Sequence, residues 1–75
     1  MEIVFSEHAE KQIKRRKIPK KLISKVVRDY QEIKRSFRGR KLRRSRVGGK
    51  ILEVVTRTEG SRITIVTAYY LEEKL

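Results

Sequence analysis

Among the 75 residues of this chain there is one histidine, His8, and about two helical turns further along the same helix lies Arg16. His8 is the only side chain whose unperturbed pKa lies near neutrality, and a place in the first turn of a helix favours its neutral, proton-accepting form. Metal-independent RNA cleavage needs a base for the ribose 2′-hydroxyl, a cation for the charge growing on phosphorus, and an acid for the leaving 5′-oxygen. His8 suits the base and Arg16 the cation, while Tyr69, on the last strand, suits a hydrogen-bond donor or a surface on which a nucleobase stacks. Each has a plain structural alternative. His8 can pack beside Phe5 and Ala9, Arg16 can serve as one more cation at the negative end of a helix, and Tyr69 and Tyr70 point to opposite faces of a strand, so one of them belongs to the core.

A reaction on RNA needs a surface that holds phosphates, and charge is what this sequence has most of. It carries 21 Lys and Arg against 9 Asp and Glu, a formal charge of +12. Lys11 to Arg28 holds nine cations and no acid, and Lys34 to Arg46 holds eight in thirteen residues, again with no acid. Self-repulsion of this kind opposes compaction unless a polyanionic partner relieves it, and nucleic acid is the leading candidate. Lys34, Arg35, Arg38, Arg40, Arg43, Arg44, Arg46 and Arg57 are the expected backbone-holding residues. A purely solvated surface normally intersperses Glu, which these stretches lack.

The elements that position these groups are marked by local signals. Glu2 to Phe5 reads as a short strand. Ser6 is a natural N-cap for a helix from Glu7 to about Lys17, with Glu7 and Glu10 at its positive end and Lys14, Arg15, Arg16 and Lys17 at its negative end. Ile18-Pro19 breaks it. Leu22, Ile23, Val26, Val27 and Tyr30 then give one apolar stripe on a second helix, about Pro19 to Tyr30. From Ile33 the period changes to two. Turns at Arg38-Gly39-Arg40, Gly48-Gly49 and Thr58-Glu59-Gly60-Ser61 separate strands at Lys41 to Val47, Lys50 to Arg57 and Arg62 to Tyr70. The expected fold is one α+β domain over residues 1–75: two N-terminal helices packed on a curved antiparallel sheet of three to four strands. The tail from Leu71 to Leu75 is expected to fray.

The residues Phe5-Ser6-x-His8-Ala9, then Arg16-x-Ile18, a Gly-rich hairpin into Leu52-x-Val54-Val55, and a closing Ile65-Val66-Thr67-x-Tyr69 resemble domain-of-unknown-function family 4258. That family is similar to the RelE/ParE and BrnT toxins of type II toxin–antitoxin systems. The resemblance implies a compact RelE/ParE-like α+β fold and, because the family pattern ends there, selects Tyr69 over Tyr70 for a site. Gln12 stands where the family commonly has Arg, and Lys17 where it commonly has Gly. Gln12 supplies a neutral hydrogen-bonding group in place of a charge.

Three function classes fit these readings. The first is a toxin-like endoribonuclease acting on mRNA, with RNA or the ribosome as target and a small acidic antitoxin as protein partner. The second is a noncatalytic RNA- or DNA-binding module. A ParE-like branch of the first would instead inhibit gyrase by protein contact. The third, a membrane-surface role for the basic helix around Lys11 to Arg28, is disfavoured because a purely interfacial helix needs no sheet to support it. So short a chain has one thin core and no room for a Rossmann, barrel or kinase architecture. Without cysteine, disulfide scaffolds, iron–sulfur sites and thiol nucleophiles drop out, and one histidine makes no histidine-rich metal site. No metal or cofactor is expected. No apolar run is long enough to cross a bilayer and the first residues do not read as a secretory signal, so the cytoplasm is the expected location and a membrane is not an expected partner.

Overall fold

Ser6 converts a strand into a helix. Its backbone is extended (φ −67°, ψ 161°) and its Oγ accepts a hydrogen bond from the Ala9 N–H at 3.0 Å, satisfying one of the unpaired donors of a helix start. In the computed structural model, which describes residues 1–72, β1 (Glu2–Phe5) precedes this cap and α1 (Glu7–Arg16) follows it. Glu7 and Glu10 lie in the first turn of α1 and Lys14, Arg15 and Arg16 in the last, each set at the dipole end that favours it. Lys17 ends α1 in the left-handed conformation, φ 57°, with its N–H turned back onto the carbonyls of Ile13 and Lys14. A second helix, α2 (Lys20–Arg28), buries Ile23, Val26 and Val27. It stops short of the expected Tyr30 because Asp29 leaves the helical region (φ −119°, ψ 39°). Tyr30 is therefore 39% exposed and does not complete the apolar stripe.

Four more strands follow: β2 (Glu32–Arg35), β3 (Arg40–Val47), β4 (Lys50–Glu59) and β5 (Arg62–Glu72). Leu71 and Glu72 continue β5, and the rest of the tail expected to fray lies outside the described residues. The five strands form one sheet in the order β1-β5-β4-β3-β2. The expectation of a three- to four-stranded antiparallel sheet is thus corrected. The sheet is five-stranded and mixed, because β1 pairs in parallel with β5, Glu2 opposite Arg62 through Phe5 opposite Ile65. Antiparallel neighbours β2 to β5 are joined by tight turns, whereas a parallel pair needs a long crossover. Here the chain between β1 and β5 comprises both helices and the other strands. A four-residue strand carries no local mark of a partner so far along the sequence.

Residues directly opposite in a sheet share a face. Leu52 opposite Tyr70, and Val54 opposite both Arg43 and Ala68, lie on the side covered by the helices. With Ala9, Ile13, Ile18, Ile23, Val26, Val27, Ile63 and Ile65 these apolar residues make the core, and Ile3, Phe5, Leu22, Val47 and Tyr70 pack against it. Glu53 opposite Arg44 and Tyr69, and Val55 opposite Leu42 and Thr67, belong to the other, open side. Register shifts between Val55 and Thr56, a bulge that places Thr56 against Ile65 and keeps the apolar set of lower β5 on the helix side.

Lys17 carries a side chain in a backbone region that costs an L-residue about 1–2 kcal/mol. Lys17→Gly is expected to stabilise the domain by about 1 kcal/mol, read as a higher urea midpoint at unchanged m-value. An unchanged or lowered midpoint would show that the left-handed turn is not strained.

Candidate nucleic-acid interface

On the open side, in the middle of the sheet, stands one buried carboxylate. Glu53 is 3% exposed and both of its oxygens are engaged. Arg44 Nε, from β3, donates to Oε1, and the Tyr69 hydroxyl, from β5, donates to Oε2. Arg44 also donates through Nη1 to Glu32 on β2 at 3.1 Å. These contacts hold the Arg44 pKa above its ordinary value, the hydrogen bond to Glu53 being the largest cause. Burial, reinforced by the hydrogen bond to Glu53 and by its negative charge, pushes the Tyr69 pKa up to about 12. Tyr69 is therefore a neutral donor at physiological pH. Each Glu53 oxygen accepts one of these hydrogen bonds and keeps a further lone pair.

Arg16 reaches this cluster from the end of α1. Its Nη1 donates to the Ala68 carbonyl at 2.8 Å and to Thr67 Oγ1 at 3.4 Å, and its guanidinium carbon lies 6.0 Å from the centre of the Tyr69 ring. Arg16 and Tyr69 are thus brought together. His8 is not brought to them. Eight residues of helix advance the chain about 12 Å and leave the later side chain about 80° past two full turns. His8 stands exposed at the far end of α1. The groups that meet are a cation, a phenol and a carboxylate.

The proposed phosphate-holding arginines have different fates, decided by strand parity. Arg43 points to the helix side and is 8% exposed, donating through Nη1 to the Val27 carbonyl at 3.0 Å and through Nε to Thr56 Oγ1 at 3.2 Å, with its guanidinium 5.1 Å from the centre of the Tyr30 ring. It holds the end of α2 to the sheet and is not displayed to a ligand. Arg44 is bound to Glu53 and Glu32, and Arg57 lies 3.6 Å from Glu59. Arg46 is exposed at the other end of β3, where its N–H donates to Gln31 Oε1 at 2.8 Å. Lys34, Arg35, Arg38 and Lys41 are exposed on the hairpin joining β2 and β3, and none has a carboxylate within salt-bridge distance among the described residues. Arg40, on the same hairpin, keeps a buried Nε without a hydrogen-bond acceptor and sits opposite Arg57 in the sheet.

Glu53 was not among the residues expected at a site. Its signal lies in Ile51-Leu52-Glu53-Val54-Val55, where one acid interrupts an apolar strand: a charge so placed needs a built partner. Among the described residues no group of carboxylates and imidazole is arranged to hold a metal ion, and no helix is long and apolar enough to cross a membrane. The family model described as "Domain of unknown function (DUF4258)" matches residues 5–70, and the chain belongs to that family. No curated protein and no solved structure matches.

Titration followed by tyrosinate absorbance should show one tyrosine ionising only at about pH 12, and this late step should vanish in Tyr69→Phe. Because the folded value lies above the ordinary tyrosine pKa of about 10, the contribution of Tyr69 to stability is complete below that pH and is lost as pH rises through the folded value. Persistence of the late step in Tyr69→Phe would assign it to another tyrosine.

Proposed function

We infer that this member of the DUF4258 family is an RNA-binding domain of the RelE/ParE toxin type, which grips the phosphodiester backbone with the cations of the β2–β3 hairpin. The observation that carries this reading is the distribution of counter-charge. Lys34, Arg35, Arg38 and Lys41 gather on one hairpin with no acid within salt-bridge distance among the described residues, and Lys14, Arg15, Lys17, Lys21, Lys25 and Arg28 on the helices are likewise uncompensated. A phosphate chain supplies the missing negative charge. Exposed cations of this kind bind backbone without reading sequence, so base preference falls to groups such as Tyr69, whose ring offers a stacking surface.

A second reading, cleavage of the bound RNA, is favoured by the meeting of Arg16, Tyr69 and Glu53. Arg16 would stabilise charge on the phosphorane, Tyr69 would donate to a non-bridging or leaving oxygen, and Glu53, freed from Tyr69, would act as the base. His8 has no part in this version. The toxin type also carries the expectation of an acidic antitoxin as protein partner.

Binding of a labelled single-stranded RNA should weaken steeply with salt, with a log–log slope of about −0.7 per phosphate contact. The double substitution Arg38→Ala with Lys41→Ala should make that slope shallower by about 1.4 while leaving the fold intact by circular dichroism. No binding at low salt, or an unchanged slope, overturns the RNA reading. Expression of the chain alone in a bacterium separates the second reading. Growth arrest with fragmented mRNA, relieved by Arg16→Ala or Tyr69→Phe and retained in His8→Ala, is the expected outcome for cleavage. Intact mRNA with blocked DNA supercoiling would select the ParE-like branch instead.

A further inference from the structure

The sheet has two edges, and they are treated differently. Along β5, β1 covers residues 62 to 65. Beyond that point the strand's outward carbonyls are taken by side chains of the α1 segment, Ser6 Oγ donating to Val66 at 3.4 Å and Arg16 Nη1 to Ala68 at 2.8 Å. That stretch of β5 is closed to a further strand, and the edge strand beside it, β1, is four residues long. At the other edge nothing comparable occurs. All four residues of β2 are exposed, and its backbone orientation is fixed by the ladder: Ser36 N–H donates to the Arg40 carbonyl at 2.8 Å. Inward and outward residues alternate in an antiparallel pair, so Ile33 and Arg35 present their N–H and C=O groups away from β3.

Exposed apolar side chains collect at the same place. Apart from Met1, the large hydrophobic residues exposed among those described are Tyr30, Ile33 and Phe37, at 39%, 37% and 76%. They immediately precede, occupy and closely follow β2. Ile33 is opposite Arg43, whose guanidinium stacks on Tyr30, so both lie on the helix side of the edge. Lys34, Arg35 and Arg38 surround them with positive charge. An unpaired strand edge flanked by apolar side chains and cations has the three features of a strand-addition site: main-chain hydrogen bonds, side-chain contacts and complementary charge.

We propose that β2 is the docking edge for an extended acidic segment of a partner protein, which adds to the sheet as a further strand. The segment alternates carboxylates, set against Lys34 on the open side, with apolar residues set against Tyr30 and Ile33 on the helix side, and Phe37 and Arg38 lie just past the end of β2. A second copy pairing about Ile33 would set Glu32 opposite Lys34, so self-association is the competing occupant that the test must exclude. RNA offers neither the strand ladder nor the apolar complement. The docking reading does not depend on RNA binding, since its defining groups are backbone amides and apolar side chains.

The test uses the full chain and a short peptide alternating glutamate with valine, at low salt. Amide hydrogen exchange read by NMR should slow at Ile33 and Arg35 when the peptide binds, and a peptide with lysine in place of glutamate should give no such protection. Ile33→Pro removes one outward donor while keeping every cation, and an edge strand tolerates proline where its N–H faces solvent. It should weaken peptide binding by about tenfold or more, the equivalent of one good hydrogen bond to the chain, with the RNA salt slope unchanged. Phe37→Ser should weaken the peptide without touching the ladder. Undiminished peptide binding by Ile33→Pro, protection at other amides, absence of peptide binding at low salt, or self-association through β2 without peptide would each overturn the proposal. Loss of RNA binding with peptide binding intact would instead overturn the RNA reading alone.

Discussion

A carboxylate buried in the middle of a sheet must keep its hydrogen-bond partners or lose its place there. Around Glu53 that requirement recruits side chains from most of the molecule. Arg44 comes from β3 and extends the contact to Glu32 on β2, Tyr69 comes from β5, and Arg16 of α1 closes over the Tyr69 ring. Five elements are therefore coupled through one residue of β4. The phenol is held in a fixed direction, and the open face of the sheet is organised around a polar centre although Val55 and Leu42 lie beside it.

The same economy governs the rest of the charge. Glu2 stands 3.3 Å from Arg62, Glu7 is one turn from Lys11, and Glu10 meets Lys20. Such exposed pairs add little to stability. Their placement nevertheless decides where positive charge is cancelled and where it persists. The hairpin between β2 and β3 is left with its cations uncompensated, and it is also the region with exposed apolar side chains. Arg43 and Arg44 show how local the decision is. They are consecutive and identical, yet one ties the end of α2 to the sheet and the other neutralises Glu53, because neighbouring residues of a strand face opposite ways.

What the amino-acid order reveals follows the range of the interaction involved. Ser6, Pro19 and the glycine turns act on residues a few positions away, so both helices and the four-strand meander were legible. Tyr69 and Tyr70 were correctly read as facing opposite sides, since parity is also local. The parallel pairing of β1 with β5 was not legible, because it joins segments at opposite ends of the described chain through a ladder that any short apolar strand can make. The site was read in part for a related reason. Arg16 was identified as a candidate cation, but its meeting with Tyr69 depends on how α1 lies against β5, and His8 was placed with it on helical spacing that drifts over two turns. Glu53 was visible as an anomaly within an apolar strand. Its partners lie on two other strands.

The parallel ladder also imposes an order in time. Glu2 and Arg62 are 60 residues apart, so during synthesis β1 waits for nearly the whole domain before its neighbour exists. The β4–β5 hairpin, joined by a tight turn, has no such delay and can form early. Until it does, Ala9, Ile13 and Ile23 have no surface on which to bury, and the emerging chain presents apolar side chains among uncompensated cations. Closure of that long loop is the slow, non-local step of folding, and the nascent N-terminal segment is the part most exposed to chaperones and to adventitious polyanions while it waits.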